Sequence, residues 1–130
     1  MENLDKYLKR IEENLNHKTE EYEIEVKSIG SKMKIRTLTL PEQRAWYNSM
    51  PVSGSKLVGD FTTNKTIRKI IYDVMDLKEI ALAAKERGLI NTYYDVLDYL
   101  FTVEDLVDII KDISDRMDKE KDDGVDDLKN

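Results

Sequence analysis

The sequence contains no cysteine, and its 130 residues include one histidine, two prolines and five glycines. Without cysteine there is no disulfide framework, no thiolate metal site and no thiol nucleophile. No apolar run approaches the roughly 18 residues that a membrane-spanning helix needs, and the first residues are too polar for a secretory signal. These absences favour a cytoplasmic protein with no membrane partner.

Charge is abundant but has an acidic excess. The chain has 27 acidic and 21 basic residues, a formal net charge of -6, and the excess lies after residue 50. Non-specific affinity for nucleic acids comes mainly from lysine and arginine neutralising phosphates, so we expect no nucleic-acid partner. A hydrophobic content of 40% is enough for one modest core, and the length suits one domain.

The first 18 residues predict an amphipathic helix, because five apolar side chains recur at the spacing of one helix face. These residues are Leu4, Tyr7, Leu8, Ile11 and Leu15. Charged and polar residues occupy the rest of that helix surface.

Residues 20–38 predict a β-hairpin, because the apolar period changes from 3.6 to 2 at Tyr22. With the loop centred on Ile29 and Gly30, apolar residues pair on one face and opposite charges pair on the other. The pairs in that register are Ile24 with Ile35, Val26 with Met33, Glu25 with Lys34, and Glu23 with Arg36.

Residues 39–117 predict about five short helices. Start signals with a capping residue and an acidic residue three positions later stand at Thr39, Asp76, Thr92 and Thr102, and Gly88 marks a helix end. The predicted fold class is therefore α+β, mainly α, with one globular domain over residues 1–117. Residues 118–130 are charged with few apolar residues and predict a flexible acidic tail.

One cluster of large apolar side chains lies outside any clear helical stripe and next to a predicted loop at residues 51–59. Its members are Trp46, Tyr47, Met50, Leu57, Val58 and Phe61. Such a cluster belongs either to the core or to an adaptable protein-binding surface, and the sequence leaves both open. The exposed edges of the hairpin are the second candidate for binding.

The last predicted helix carries an acidic face opposite its apolar stripe. The face consists of Glu104, Asp105, Asp108, Asp112 and Asp115, and the stripe of Val103, Leu106, Val107, Ile110, Ile113 and Met117. The acidic face is either a solvated surface or a docking site for a basic partner.

Catalytic and metal-binding patterns fail on inspection. The single histidine, His17, has no neighbouring ligand or orienting carboxylate. An EF-hand counted from Asp118 would have Asp123 where glycine belongs and Lys129 where glutamate belongs. No nucleophile, base and orienting group come together, so we expect no enzyme, no cofactor and no metal.

Residues 77–100 have the spacing of a helix-turn-helix. Its recognition helix would present tyrosines and carboxylates without lysine or arginine, which disfavours a DNA-binding regulator.

Several segments together resemble the tail assembly chaperones of Gram-positive phages and PBSX-type defective prophages. The segments are Ile70–Val74, Leu77–Ala84, Tyr94–Phe101 and Thr102–Leu106, with the charged hairpin and the helix start at Thr39–Glu42 also matching. The resemblance extends over residues 20–115.

The resemblance implies a helper that is absent from the finished virion and works in the bacterial host cytoplasm. It would bind the tape measure protein, keep that long helical chain soluble and help recruit tail tube proteins, with homo-oligomers as a further option. No catalytic or cofactor residue carries over. The competing interpretation is a structural virion protein, such as a head-tail or tail completion component.

Overall fold

A computed structural model of the chain describes residues 2–49 and 58–129. The described part is mainly helical and contains one two-stranded antiparallel sheet, which confirms the α+β, mainly α fold class. The elements in chain order are α1 (Glu2–Leu15), β1 (Glu21–Val26), β2 (Ser31–Arg36), α2 (Leu40–Ser49), a 3₁₀ helix (Val58–Thr63), α3 (Lys65–Val74), α4 (Lys78–Glu86), a 3₁₀ turn (Tyr93–Asp95), α5 (Val96–Leu100) and α6 (Val103–Lys129). Most of the predicted loop at residues 51–59 lies outside the described residues.

The hairpin forms as predicted, but in a register shifted by two residues. Ile24 pairs with Met33 rather than Ile35, and the other observed pairs are Glu21 with Arg36, Tyr22 with Ile35, Glu23 with Lys34, Glu25 with Lys32, and Val26 with Ser31. The four-residue loop ends at Gly30, whose φ of 75° suits glycine. The predicted register, with the loop centred on Ile29 and Gly30, was wrong because the observed loop places Gly30 at its last position, where the backbone has a positive φ.

Three of the predicted helix starts are capping boxes in the structure. The Thr39 N–H donates to Glu42 Oε1 at 2.9 Å, and the Glu42 N–H donates to Thr39 Oγ1 at 3.3 Å. Thr102 and Asp105 exchange equivalent bonds of 3.0 and 3.1 Å before α6. A third box, over Thr92–Asp95, begins the 3₁₀ turn that leads into α5.

At the fourth predicted start a helix does begin, at Lys78, but the predicted cap at Asp76 was wrong. Asp76 has a φ of 49° and lies just after α3, where its N–H donates to the Asp73 carbonyl at 3.2 Å. The Leu77 N–H donates to the Tyr72 carbonyl at 3.1 Å. This pair of bonds is the Schellman arrangement, so Asp76 ends α3 instead of capping α4.

Gly88 ends α4 with the same arrangement, as predicted, at a φ of 70°. An added Cβ would meet nothing within 4 Å, so the cost of alanine there is conformational. We expect Gly88→Ala to lower the free energy of unfolding by about 1 kcal/mol, measured by urea denaturation. The matched variant Asp76→Gly should leave stability equal or higher, because glycine is the preferred residue at that position. Equal destabilisation by both variants would contradict this assignment.

The core lies between α6, the hairpin and the helices α2 to α5. From α6 it receives Leu106, Ile109, Ile110, Ile113 and Met117. The hairpin packs on α6 through Tyr22, whose hydroxyl donates to Asp112 Oδ2 at 2.8 Å and whose ring lies 3.5 Å from the Arg116 guanidinium. Residues near both ends of the described chain therefore close the same core.

α6 is longer than the sequence predicts. The stripe of apolar residues stops at Met117, but the helix continues to Lys129. Once a helix has formed, adding residues needs no further nucleus, so a charged segment can extend one that is anchored by packing. The flexible tail at residues 118–130 stays a prediction.

No helix in the described part of the chain combines the length and the apolar character that crossing a membrane requires.

Candidate protein-binding surface

An exposed apolar stripe runs along α1. Every described side chain from Asn3 to Leu15 is exposed. The five apolar residues of the stripe are between 49% and 80% exposed; they are Leu4, Tyr7, Leu8, Ile11 and Leu15. The sequence predicted the stripe, but not that the rest of the domain leaves it uncovered.

An uncovered stripe of this kind is unusual for a helix of this length. α1 has 14 residues, and isolated helices shorter than about 12–15 residues are marginal in water. In proteins, such helices obtain most of their stability by burying an apolar face. A partner that buries the exposed apolar face of α1 would therefore also stabilise this helix.

A groove joins the end of α1 to the outer face of α2. Its volume is about 480 Å³, and its apolar lining comes from Ile11, Leu15, Leu40, Pro41 and Ala45. Pro41 suits the first turn of α2, where its missing N–H has no helical partner to lose. The groove makes the α1 stripe continuous with the apolar residues on α2. We call the stripe and this groove together the α1–α2 surface.

An ion pair fixes α2 beside the hairpin. The Arg36 guanidinium donates to both carboxylate oxygens of Glu42, at 2.7 and 3.0 Å. Burial raises the pKa of Glu42, but the bonds from Arg36 and Thr39 outweigh it, and the pKa lies below its ordinary value. The carboxylate is therefore charged at neutral pH, and the first turn of α2 keeps its place.

Two residues of the predicted binding cluster belong to the core. Trp46 is 1% exposed and Phe61 is 9% exposed. The Trp46 Nε1–H donates to Ser114 Oγ at 3.2 Å, which satisfies the indole inside the core against α6. These two side chains are not available to a partner in this fold.

The remaining members of that cluster are only partly described. Tyr47 is 44% exposed. Partial burial, together with the charge and hydrogen bond of Asp118, raises the pKa of the Tyr47 hydroxyl. Met50 and Leu57 lie outside the described residues. Val58 begins the 3₁₀ helix, and only its backbone is described. Tyr47 is the one cluster member whose described ring is exposed.

The hairpin edge, the second predicted binding place, borders an acidic groove. This groove of about 360 Å³ lies between β1 and α6, with Glu23 and Glu25 on one wall and Asp108 and Asp112 on the other. Glutamates along an open edge discourage pairing with a second acidic strand. The acidic residues of the groove therefore protect the hairpin edge against pairing with another strand. Binding of a partner at this edge stays a prediction.

The acidic face predicted on α6 is not uniformly solvated. Asp105 is only 5% exposed and accepts bonds from the Ser28 N–H, the Ser28 hydroxyl and the Thr102 N–H. Burial raises the pKa of Asp105, but these bonds outweigh it and hold the pKa below its ordinary value. Asp105 therefore belongs neither to a solvated surface nor to a docking site, because the hairpin loop covers the start of α6.

The apolar stripe of α6 also differs from its prediction. Ile109, which the prediction left out, is buried, while Val103, which the prediction included, is 63% exposed. The hairpin packs on one side of α6 and thereby buries a wider face than a single stripe.

Two side chains of the segment that had the spacing of a helix-turn-helix, Tyr94 and Asp98, contact α3. Arg68 donates to both carboxylate oxygens of Asp98, at 2.9 and 3.0 Å, and also to the Tyr94 carbonyl. The Tyr94 ring contacts Tyr72 edge-on, with the ring centroids 4.8 Å apart. These contacts join the segment to α3.

Comparison with protein-family models, with curated proteins and with solved structures returned no match. The resemblance to tail assembly chaperones therefore stays a prediction. Among residues 2–49 and 58–129, no group of three or more histidine, aspartate or glutamate side chains is placed to hold a metal ion.

Proposed function

We propose that this chain is a non-catalytic binding protein whose α1–α2 surface holds an amphipathic helix of a partner protein. The observation that carries this proposal is the exposure of the α1 stripe, in which Leu15 reaches 80%. Contiguous exposed apolar patches commonly mark interaction sites, whereas single exposed apolar residues are ordinary.

The shape of the surface favours a helical partner. An exposed helix joined to a second helix by an apolar groove offers the setting in which an amphipathic helix lays its apolar face. The groove lies where Ile11 and Leu15 approach Leu40 and Ala45. A partner helix inserted there would bury the end of the α1 stripe and the α2 residues together.

Charged residues flank the stripe on both sides. Asp5 and Glu12 flank one side of it, and Arg10 flanks the other. Polar and charged residues around an apolar centre form the rim that protein interfaces commonly have. The partner's flanking charges would then determine its orientation on α1.

The resemblance described above identifies the particular partner in this proposal. A tail assembly chaperone must hold the tape measure protein, a long helical chain with apolar faces that need cover before the tail assembles. The α1–α2 surface has the chemistry for that task. We therefore propose the tape measure protein encoded in the same genome as the partner.

Co-expression with that tape measure protein tests the proposal. We expect a soluble complex that copurifies, and we expect the double variant Leu8→Ser, Ile11→Ser to lose at least tenfold of the captured partner. Both side chains are more than half exposed, so the substitutions should leave the core intact.

The matched control is Lys9→Ser, Glu13→Ser, which changes the polar face of the same helix. It should capture the partner as the unchanged protein does. If the tape measure protein stays insoluble beside a folded chain, the chaperone proposal fails. Presence of the chain in purified finished particles would instead support the structural virion interpretation.

A further inference from the structure

The apolar residues of α1 follow the spacing of a coiled-coil seam. Leu4, Leu8, Ile11 and Leu15 are separated by four, three and four residues, which is the alternation of d and a positions in a heptad. Leu4 and Ile11 are then d residues, and Leu8 and Leu15 are a residues. A seam of this kind fits another helix that carries the same spacing.

The charges beside the seam favour a parallel pair of identical helices. Asp5 and Glu12 occupy the e positions, while Tyr7 and Asn14 occupy the g positions. In a parallel pair, e residues face g residues of the partner, so no like charges meet. In an antiparallel pair, e residues face e residues, which would place Asp5 against Glu12 twice.

We propose that, in the absence of its partner, the protein associates with a second copy through parallel pairing of the two α1 helices. This inference rests on the proposed function, because it describes how the same surface is covered before the partner arrives. Pairing places both stripes against each other and removes them from water. The partner helix must then compete with the second copy for α1.

The length of α1 makes this association weak, as such competition requires. Stable coiled coils are generally recognised over three or four heptads, whereas α1 has 14 residues, or two heptads. Pairing therefore reverses at low concentration, and a partner that uses the groove as well as the stripe displaces the second copy.

Sedimentation of the full-length chain over a range of concentrations tests the pairing. We expect the mass to rise from 15.2 kDa at about 10 µM towards twice that value near 1 mM, the concentration range of a weak complex. Leu8→Glu, Ile11→Glu should stay monomeric throughout, with unchanged thermal unfolding of the domain. A monomer at every concentration, or equal association by the variant, would overturn the inference.

Disulfide trapping tests the orientation, since the chain has no cysteine of its own. In a parallel pair the two copies of residue 15 are adjacent, whereas in an antiparallel pair they lie roughly 16 Å apart, beyond disulfide reach. We expect Leu15→Cys to form a disulfide dimer at least tenfold faster than Lys9→Cys on the polar face. Equal rates would overturn the parallel pairing.

The pairing experiments and the copurification experiment can fail independently of each other. A chain that captures the tape measure protein but never self-associates would overturn this inference alone. A chain that pairs through α1 yet leaves the tape measure protein insoluble would overturn the proposed function alone.

Discussion

Trp46→Ala is expected to lower the free energy of unfolding by about 3–5 kcal/mol, the usual cost of removing a buried tryptophan. The side chain is 1% exposed and is one of the largest fully buried side chains of the core. Its removal would also leave Ser114 without the indole donor. Since domains of this size have only about 5–15 kcal/mol of stability, this loss is a large share of the total. Urea denaturation followed by far-ultraviolet circular dichroism is the suitable measurement, because the only tryptophan is lost.

Two matched variants make this prediction specific. Trp46→Phe keeps an aromatic ring but loses the Nε1–H, so we expect a smaller loss of about 1–2 kcal/mol. Tyr47→Ala, one position along the same helix, removes a ring that is 44% exposed and should cost less than Trp46→Ala. A Trp46→Ala protein that stays stable but loses its partner would show that Trp46 is a binding residue after all.

Asp105→Ala should lower the free energy of unfolding by about 2–4 kcal/mol, although it changes a residue on a helix face that looks solvated in the sequence. The carboxylate caps α6 through the Thr102 N–H at 3.0 Å and accepts two bonds from Ser28 in the hairpin loop. Losing a cap costs about 1 kcal/mol, and losing the bonds that Ser28 donates to the charged carboxylate adds about 1–3 kcal/mol. The control is Asp108→Ala, which changes an exposed residue of α6 and should stay within about 0.5 kcal/mol.

The contribution of Asp105 should depend on pH in a defined direction. Its pKa is lowered in the folded protein, so the stabilisation is complete above the ordinary aspartate value of about 3.9 and is lost as the pH falls through the lower folded pKa. The difference in unfolding free energy between the natural protein and Asp105→Asn should therefore be constant near neutral pH and shrink below about pH 4. A difference that grows on acidification would contradict the assignment.

Local signals in the sequence predicted the helix starts well. Thr39 and Thr102 cap their helices because a capping box depends on residues only three positions apart. Asp76 shows the limit of such a signal. An aspartate before Leu77 and Lys78 also suits the left-handed position after a helix, and the preceding helix α3 decides between the two roles.

The hairpin register could not be chosen from its side chains. A shift by two residues leaves every side chain on its face, whereas a shift by one would exchange the faces. Glu23 and Glu25 meet a basic residue in the predicted register and in the observed one. The turn makes the difference, because the observed register places Gly30 at the loop position that has a positive φ.

The candidate site was the hardest part to predict, since periodicity identifies an apolar face but not what covers it. The stripes of α1 and α6 have similar spacing, yet Ile11 is 55% exposed and Ile110 is 1% exposed. Likewise, Trp46 and Tyr47 are adjacent aromatic residues, but Trp46 is buried and Tyr47 is exposed. Burial depends on contacts between distant segments, such as the bond from Trp46 to Ser114, 68 residues away.

The pairing of the hairpin with α6 also determines when the protein can fold during its synthesis. Ser28 bonds to a carboxylate 77 residues later in the chain, and Tyr22 to one 90 residues later. A hairpin forms in microseconds, but a ribosome needs roughly 4–15 s to add 77 residues at about 5–20 residues per second. During those seconds the apolar face of the hairpin emerges without its cover, and the interval before α6 leaves the ribosome is when the nascent chain is most exposed to aggregation.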